Sequence, residues 1–171
     1  MQKNIHLMPE KNNPNAFQRF LHRFIMLRPV TAFFADKTHI IDNAIFKLTK
    51  GKHSLSEYLG WNIIRINTIG AKTGKLHKLV LLALIDGEKI GIIASNFGRK
   101  PNPGWYYNLV KNPLCDVQLN GNWAKYIARE IHDEEYKKYW QMAVDSYKGY
   151  QKYKERASHR HIPLILLEPA K

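Results

Sequence analysis

The chain has a single cysteine, Cys115, among its 171 residues. One thiol excludes an intramolecular disulfide and any metal cluster built on several cysteines, and it is compatible with a reducing compartment. Long hydrophobic runs are also missing, since none approaches the roughly 18 residues that a membrane-spanning helix needs. The first residues lack the apolar core and cleavage site of a signal peptide. We therefore expect a cytoplasmic protein without a metal site.

Acidic residues are scarce, with 14 Asp and Glu against 27 Lys and Arg, a formal net charge of +13. A field of that sign attracts phosphates, nucleic acid and acidic lipid headgroups, although a merely soluble basic surface is the simpler alternative. Hydrophobic residues make up 44% of the chain, which is typical of a folded globular protein. The length predicts one domain over residues 1–171.

The N-terminal third is predicted to be a loose arm over residues 1–14 and a helical segment over 16–60. Within that segment, residues 16–28 place aromatic and aliphatic side chains at helical spacing with basic residues between them. Such an amphipathic helix either packs onto the domain or contacts an anionic membrane surface as a peripheral element.

The rest of the chain alternates strand-like runs with turn signals. The runs cover residues 62–68, 78–85, 89–95, 115–119, 123–131 and 162–169. Asp86-Gly87 and Asn120-Gly121 favour tight hairpins, because these residues tolerate a positive φ. A short helix is expected within 103–112, and a longer one starts at Asp133 and is interrupted at Gly149. The pattern predicts an α+β protein with a mainly antiparallel sheet of about six strands, curled into a small barrel.

The loop Gly70-Ala71-Lys72-Thr73-Gly74-Lys75 has the composition of an anion-binding turn. Its glycines let backbone N–H groups turn toward an anion, while Lys72, Lys75 and the Thr73 hydroxyl add charge and hydrogen bonds. The spacing differs from that of a nucleotide-binding Walker loop, and a strand follows instead of a helix. An ordinary basic turn explains the loop equally well.

A second candidate binding segment begins at Ala94-Ser95-Asn96. Small residues at the end of a strand allow a planar ring to lie against the backbone, and Ser95 can hydrogen-bond such a ring or a phosphate. Arg99 and Lys100 add positive charge. Trp105 follows closely and is either a core anchor or a wall for a flat ligand.

Tyr147, Tyr150 and Tyr153 recur every three residues along the last predicted helix. Their phenols either close a pocket and donate a proton, or belong to the core with their hydroxyls at its rim.

Taken together, these motifs resemble the deazaflavin-dependent nitroreductase family, quinone reductases of the split β-barrel flavin-binding class. The resemblance covers residues 17–169. It is carried by Thr68-Ile69-Gly70-Ala71-Lys72-Thr73-Gly74-Lys75, by Ala94-Ser95, by Pro103-Gly104-Trp105-Tyr106-Tyr107-Asn108-Leu109, by the tyrosine triplet and by the closing Ile162-Pro163…Leu167-Glu168-Pro169.

The resemblance implies a split β-barrel oxidoreductase that uses coenzyme F-420, a deazaflavin with a phosphodiester-linked oligoglutamate tail. The tail would lie on Lys72, Thr73, Gly74 and Lys75, helped by Arg99 or Lys100. The ring would lie near Ala94, Ser95 and Trp105, and Asn96 would also bind the cofactor. Hydride would pass to a small-molecule acceptor, namely a quinone, nitro compound or activated alkene. Tyr147 or Tyr150 would supply a proton and Ser95 would polarise the ring or acceptor.

Alternatives are FMN in place of the deazaflavin, and a non-catalytic barrel that holds a lipid or haem-like ligand. The resemblance also implies a homodimer, because split barrels of this class often pair through sheet faces. Nucleic-acid binding is not expected, since the aromatic residues cluster near one loop and one helix instead of lining a strand surface.

Overall fold

The computed structural model describes residues 61–171; the predicted arm over 1–14 and helices over 16–60 lie outside the described residues. Seven strands and three helices follow one another in that part of the chain. They are β1 (Ile63–Ile69), β2 (Leu76–Leu82), β3 (Leu84–Asp86), β4 (Lys89–Ile93), α1 (Gly104–Lys111), β5 (Leu114–Leu119), β6 (Asn122–Glu130), α2 (Asp133–Ser146), α3 (Gly149–Arg156) and β7 (Leu164–Pro169).

The strands form one curled sheet in the order β2-β1-β5-β6-β7-β4-β3, and every pair of neighbours is antiparallel. The first and last strands of this order are consecutive in the chain and are separated only by Ala83. The N–H of Ala83 donates to the Asn62 carbonyl oxygen at 2.9 Å. One bent segment therefore pairs with β1 through its first half and with β4 through its second half. The predicted split barrel is confirmed, and the single strand predicted over 78–85 is divided in two.

Both predicted hairpins are present. Asn120 and Gly121 have φ of +51° and +82°, as the two central residues of a type I′ turn require. In the other hairpin Asp86 still pairs with Lys89, so the two loop residues lie one position later than predicted. Only Gly87, at φ +61°, needs the left-handed region there.

Two hydrophobic cores lie on opposite faces of the sheet. The barrel interior is mainly aliphatic, and α1 closes one end of it by inserting Trp105 and Leu109. The outer core, under α2 and α3, is rich in aromatic residues. Its large side chains are Tyr139, Trp140, Tyr147, Tyr150 and Tyr153, packed on residues such as Leu164 and Leu166 of β7.

The predicted long helix is present, and the interruption expected at Gly149 divides it into α2 and α3. Tyr147 is extended at φ −153° and ψ 105°, which ends α2. Its ring then lies where a Cβ on residue 149 would be, so only glycine lets the chain resume its helix so close to that ring. Over residues 61–171, no helix combines the length and apolar character needed to cross a membrane.

Candidate functional site

One end of the barrel gathers both predicted binding loops. Because neighbouring strands are antiparallel, β1, β6 and β4 run in the same direction and reach that end together. The loop over 70–75 leaves β1 there, and the loop over 94–102 leaves β4 there. Helix α1 lies between them, bonded to residues of both β1 and β6. Three strands, β2, β3 and β4, separate the two loops along the chain, and the fold brings the loops to one surface.

The loop over 70–75 is a compact turn. The Gly70 N–H donates to the Lys75 carbonyl oxygen at 2.8 Å, and the Gly74 N–H donates to the Gly70 carbonyl oxygen at 2.9 Å. A Cβ at Gly70 would lie 2.6 Å from the Thr73 hydroxyl oxygen and 2.9 Å from the His77 ring, so a larger residue would displace these exposed side chains. Gly74, at φ +66°, faces open space. The side chains of Lys72 and Lys75 are exposed.

Asn108 of α1 fixes this loop to the barrel. Its Oδ1 accepts a hydrogen bond from the Ala71 N–H at 2.9 Å, and its Nδ2 donates to the Thr68 hydroxyl oxygen at 3.2 Å. Thr68 is fully buried, so this bond satisfies a polar group inside the barrel. Asn112, one helical turn later, donates to the Ile69 carbonyl oxygen at 3.1 Å. Asn108 is one residue of the motif that carries the family resemblance, and the structure shows that its side chain holds the loop over 70–75 on the barrel.

The loop over 94–102 contains a strained turn. Asn96, Phe97 and Gly98 have consecutive positive φ values of 44°, 56° and 79°. Ser95, just before them, is in the right-handed helical region. When a right-handed residue is followed by a left-handed one, successive backbone N–H groups point into one concave surface that suits an anion. Asn96 also donates from Nδ2 to the Pro101 carbonyl oxygen at 2.9 Å.

The same turn is docked on α3. A Cβ at Gly98 would lie 2.6 Å from the Cβ of Arg156 and 3.1 Å from the Tyr153 carbonyl oxygen. The Phe97 ring meets the Tyr153 ring edge to face, with centroids 5.8 Å apart. Phe97 therefore points toward the outer aromatic core.

Arg160 organises the whole loop, although no local sequence pattern points to this role. Its guanidinium donates five hydrogen bonds, all to this loop or to its own neighbour. The acceptors are the carbonyl oxygens of Ser95 (2.8 Å), Ala94 (3.4 Å), Arg99 (3.0 Å) and His161 (3.0 Å), and Oδ1 of Asn102 (2.6 Å).

The predicted ring-binding residues divide between surface and core. Ser95 and Asn96 are partly exposed at the turn, and Lys100 is exposed beyond it. Ala94 is fully buried in the barrel interior, and Trp105 is 9% exposed in the same core. Their predicted contacts with a cofactor ring remain predictions.

The three tyrosines form one buried cluster. Their ring centroids lie 5.8 to 6.1 Å apart, and the hydroxyl oxygens of Tyr147 and Tyr153 are 3.5 Å apart. Burial, reinforced by Tyr153, raises the pKa of Tyr147 and of Tyr150 above that of an ordinary phenol. Both phenols are therefore neutral hydrogen-bond donors at physiological pH.

A cavity of about 270 Å³ opens beside this cluster, where β2 bends into β3 and α2 ends. Tyr147 and Tyr150 line it together with Trp61 and Met142. Tyr153 lies between these tyrosines and Phe97, so the cluster connects the cavity to the strained turn.

A curled antiparallel barrel of this strand order places the chain in the split β-barrel class. A family model described as F420H(2)-dependent quinone reductase matches residues 41–169. The chain belongs to this family, which is a family of oxidoreductases that depend on coenzyme F-420.

Individual relatives agree with the family match. An F420H(2)-dependent quinone reductase of Mycobacterium tuberculosis is 36% identical over 105 residues, covering 60% of this chain and 70% of the relative. A solved structure of an F420-H2 dependent reductase, FDR-A, has a TM-score of 0.58 at 32% identity, with 63% of this chain and 94% of that chain covered. Another, described as a domain-swapped dimer, has a TM-score of 0.60 at 29% identity and covers 82% and 99%.

Proposed function

We propose that the chain catalyses hydride transfer from reduced coenzyme F-420 to a quinone, with nitro compounds and activated alkenes as further acceptors. The observation that carries the proposal is the meeting of the loops over 70–75 and 94–102 at one end of the barrel. Both loops lie within the residues that the family model matches.

The donor set at this end fits a cofactor with an anionic tail. Lys72, Lys75 and Lys100 are exposed, and Gly74 leaves room for close approach of a ligand to the backbone. We assign the tail to Lys72, Thr73, Gly74 and Lys75, with Lys100 or Arg99 beside it. When bound, the reduced cofactor supplies the hydride.

Ser95 and Asn96 are assigned to the ring, because their turn presents successive N–H groups and small side chains beside the tail-binding loop. The Ser95 hydroxyl would polarise the ring or the acceptor. Ala94 and Trp105 would limit the site from below as part of the barrel core.

The acceptor is assigned to the side of the tyrosine cluster. The cavity beside Tyr147 and Tyr150 has aromatic and aliphatic walls that suit a flat ring, and Asn62, Asp145 and Ser146 add polar groups to its lining. Because burial keeps both phenols protonated, either can donate a hydrogen bond, and then a proton, to an acceptor oxygen that gains negative charge.

Cofactor titration tests the assignment. Purified protein is titrated separately with oxidised coenzyme F-420 and with FMN, and binding is followed by quenching of their fluorescence. We expect saturable binding of F-420 and much weaker binding of FMN. Absence of saturable F-420 binding would contradict the proposal. Saturable binding of FMN alone would show that FMN is the cofactor instead of F-420. A lipid or haem-like molecule recovered from the purified protein by mass spectrometry would favour a binding protein.

We also propose a homodimer formed through the outer face of the sheet. Four apolar side chains form a row across β2, β1, β5 and β6, each between 37% and 53% exposed: Leu76, Ile69, Leu114 and Ile127. Leu76 pairs with Ile69, and Leu114 pairs with Ile127. An apolar row of this kind on a basic protein favours a partner surface.

Analytical ultracentrifugation of the double variant Leu114→Ser, Ile127→Ser tests the row. We expect the variant to be monomeric where the wild-type chain is dimeric. Trp123→Ser, an exposed change on the same face of β6 but outside the row, is the matched control. A dimer that survives the double change would contradict the use of this surface.

A peripheral membrane contact through residues 16–28 is a separate proposal, based on their amphipathic pattern and basic charge. Flotation with vesicles that contain phosphatidylglycerol, compared with pure phosphatidylcholine, tests it. We expect binding to the anionic vesicles only, and its loss in Phe20→Ser, Phe24→Ser. Equal recovery of that variant with the vesicles would contradict the assignment to this segment.

A further inference from the structure

The guanidinium of Arg160 holds the loop over 94–102 on both sides of its strained turn. It bonds Ala94 and Ser95 before the turn, and Arg99 and Asn102 after it. An arginine has five N–H donors in a planar fork, and here all five are used. A lysine could not reproduce this arrangement, because it has three donors around a point charge.

The turn needs such a restraint. Asn96 and Phe97 are non-glycine residues in the left-handed region, a conformation that Asn tolerates but that strains a bulky residue such as Phe97. Backbone strain of this kind persists only where the surroundings over-determine the conformation. The hydrogen bonds of Arg160 on either side of the turn are the polar part of that restraint, and the packing of Gly98 against α3 is the steric part.

The charge of Arg160 is not neutralised by its partners. All five acceptors are neutral oxygens of the backbone or of an amide side chain. Within residues 61–171, none of the ion pairs involves Arg160, whereas Arg129 is bonded to two carboxylates. A full positive charge therefore stands directly behind the backbone of Ser95.

Arg160 also connects this turn to the tyrosine helix. It follows α3 after a short bend in which its own N–H donates to the Ala157 carbonyl oxygen at 2.9 Å. Tyr153 of α3 packs on Phe97 in the turn. A displacement of Arg160 would therefore change the position of the turn relative to α3.

We propose that Arg160 is a positioning residue for the cofactor: it sets the backbone of Ser95 and Asn96 and adds an unneutralised positive charge behind them. This inference rests on the proposed function, since it assigns the cofactor to the turn. It predicts that affinity for F-420 depends on a residue that the cofactor does not touch.

The experiment compares Arg160→Gln and Arg160→Lys with Arg129→Gln. Arg129 is a suitable control because its guanidinium also bonds other elements of the fold, through three hydrogen bonds, but to Glu135 and Glu168 on another part of the barrel. For each folded variant, the dissociation constant for oxidised F-420 is measured by fluorescence quenching. Hydrogen exchange of the Gly98 and Arg99 amides is measured in the same proteins, because both amides bond within the turn.

We expect Arg160→Gln to bind F-420 about tenfold more weakly, which corresponds to about 1.4 kcal/mol. Arg160→Lys keeps the charge but not the planar set of donors, so its dissociation constant should lie between those of Arg160→Gln and the wild type. The dissociation constant of Arg129→Gln should stay within about twofold of the wild-type value. The Gly98 and Arg99 amides should exchange faster in Arg160→Gln, to a smaller extent in Arg160→Lys, and at the wild-type rate in Arg129→Gln. This last readout separates positioning from a general loss of stability, which would accelerate exchange in the control as well.

Two results would overturn the inference. One is wild-type affinity for F-420 in folded Arg160→Gln, and the other is an equal loss of affinity in Arg129→Gln. If Arg160→Gln does not fold, Arg160→Lys decides by the same comparison. If the wild-type chain itself does not bind F-420, the proposed function fails, and amide exchange alone then shows whether Arg160 restrains the turn.

Discussion

The loops over 70–75 and 94–102 lie at the same end of the barrel and are both basic, but they are held in different ways. The first is short, unstrained except at Gly74, and pinned by the neutral amide of Asn108. The second carries three consecutive positive φ values and is held by a charged guanidinium and by close packing on α3. The difference indicates that the first loop offers exposed cationic side chains, whereas the second offers a backbone that hydrogen bonds and packing hold in one shape.

Glycine substitutions should separate the two loops most clearly. Gly98→Ala places a Cβ against Arg156 and the Tyr153 carbonyl oxygen in a left-handed residue, so we expect a loss of about 3 kcal/mol in the free energy of unfolding. Gly74→Ala has the same positive φ but open space around it, and about 1 kcal/mol is expected. Urea denaturation measures both. Equal losses would show that the second loop is no more constrained than the first.

Asn108→Ala should have the next largest effect. It removes the hydrogen bonds to Ala71 and to buried Thr68, so we expect about 1–3 kcal/mol of destabilisation and weaker F-420 binding. Asn112→Ala, which removes only an exposed bond to the Ile69 carbonyl oxygen, is the control. Denaturation and cofactor titration of the pair are the measurements. If Asn112→Ala lowers the affinity for F-420 as much as Asn108→Ala does, the side-chain amide of Asn108 has no special part in holding the loop.

The exposed lysines should affect affinity without affecting stability. Lys72→Gln, Lys75→Gln leaves the hydrogen bonds of the turn intact, and we expect a severalfold loss of affinity for F-420 that grows smaller as salt is added. Titration at low and high ionic strength measures it, with a melting temperature as the control. Salt-independent binding by the wild type would contradict an ionic role for the first loop.

The smallest effect concerns the ion network that serves as the control for Arg160. Hydrogen bonds from Arg129 and Lys89 lower the pKa of Glu168 from 4.5 to about 2. A carboxyl with a lowered pKa in the folded state stabilises the protein above its ordinary pKa, and this contribution is lost as the pH falls from about 4.5 to about 2. The stability difference between wild type and Arg129→Gln should therefore be present at neutral pH and vanish near pH 2. Acid titration followed by circular dichroism measures it, and a difference that persists at pH 2 would contradict the assignment.

Local patterns predicted the fold well because hairpins depend on nearby residues. Gly87 and Asn120-Gly121 indicated both turns, and the phase break at Gly149 indicated the division between α2 and α3. The bend at Ala83 was not predicted. It arises where one segment changes its pairing partner from β1 to β4, and pairing partners cannot be predicted from the residues at the bend.

The candidate site was predicted only where the residue types themselves indicate a chemical role. Glycines and lysines indicated the first loop. The tyrosine spacing left a pocket and a core role as alternatives, and the structure packs the three rings together with Tyr147 outside the helix that carries Tyr150 and Tyr153. Arg160 was missed because its partners lie about 60 residues away in the chain, mostly as carbonyl oxygens, which carry no sequence signal. The burial of Trp105 likewise follows from α1 closing the barrel, which is a consequence of tertiary packing.

The position of β7 has a consequence for the order of folding. This strand lies between β6 and β4 in the sheet, yet it comes after all the other strands in the chain. The β3–β4 hairpin and the group formed by β1, β2, β5 and β6 can pair early, but β7 is the strand that joins their open edges across the sheet. We therefore expect the barrel to close in a late and slow step, with two half-sheets as the intermediate state. Until then, the two binding loops leave strands of separate half-sheets, so the site forms only after β7 has paired with both β6 and β4.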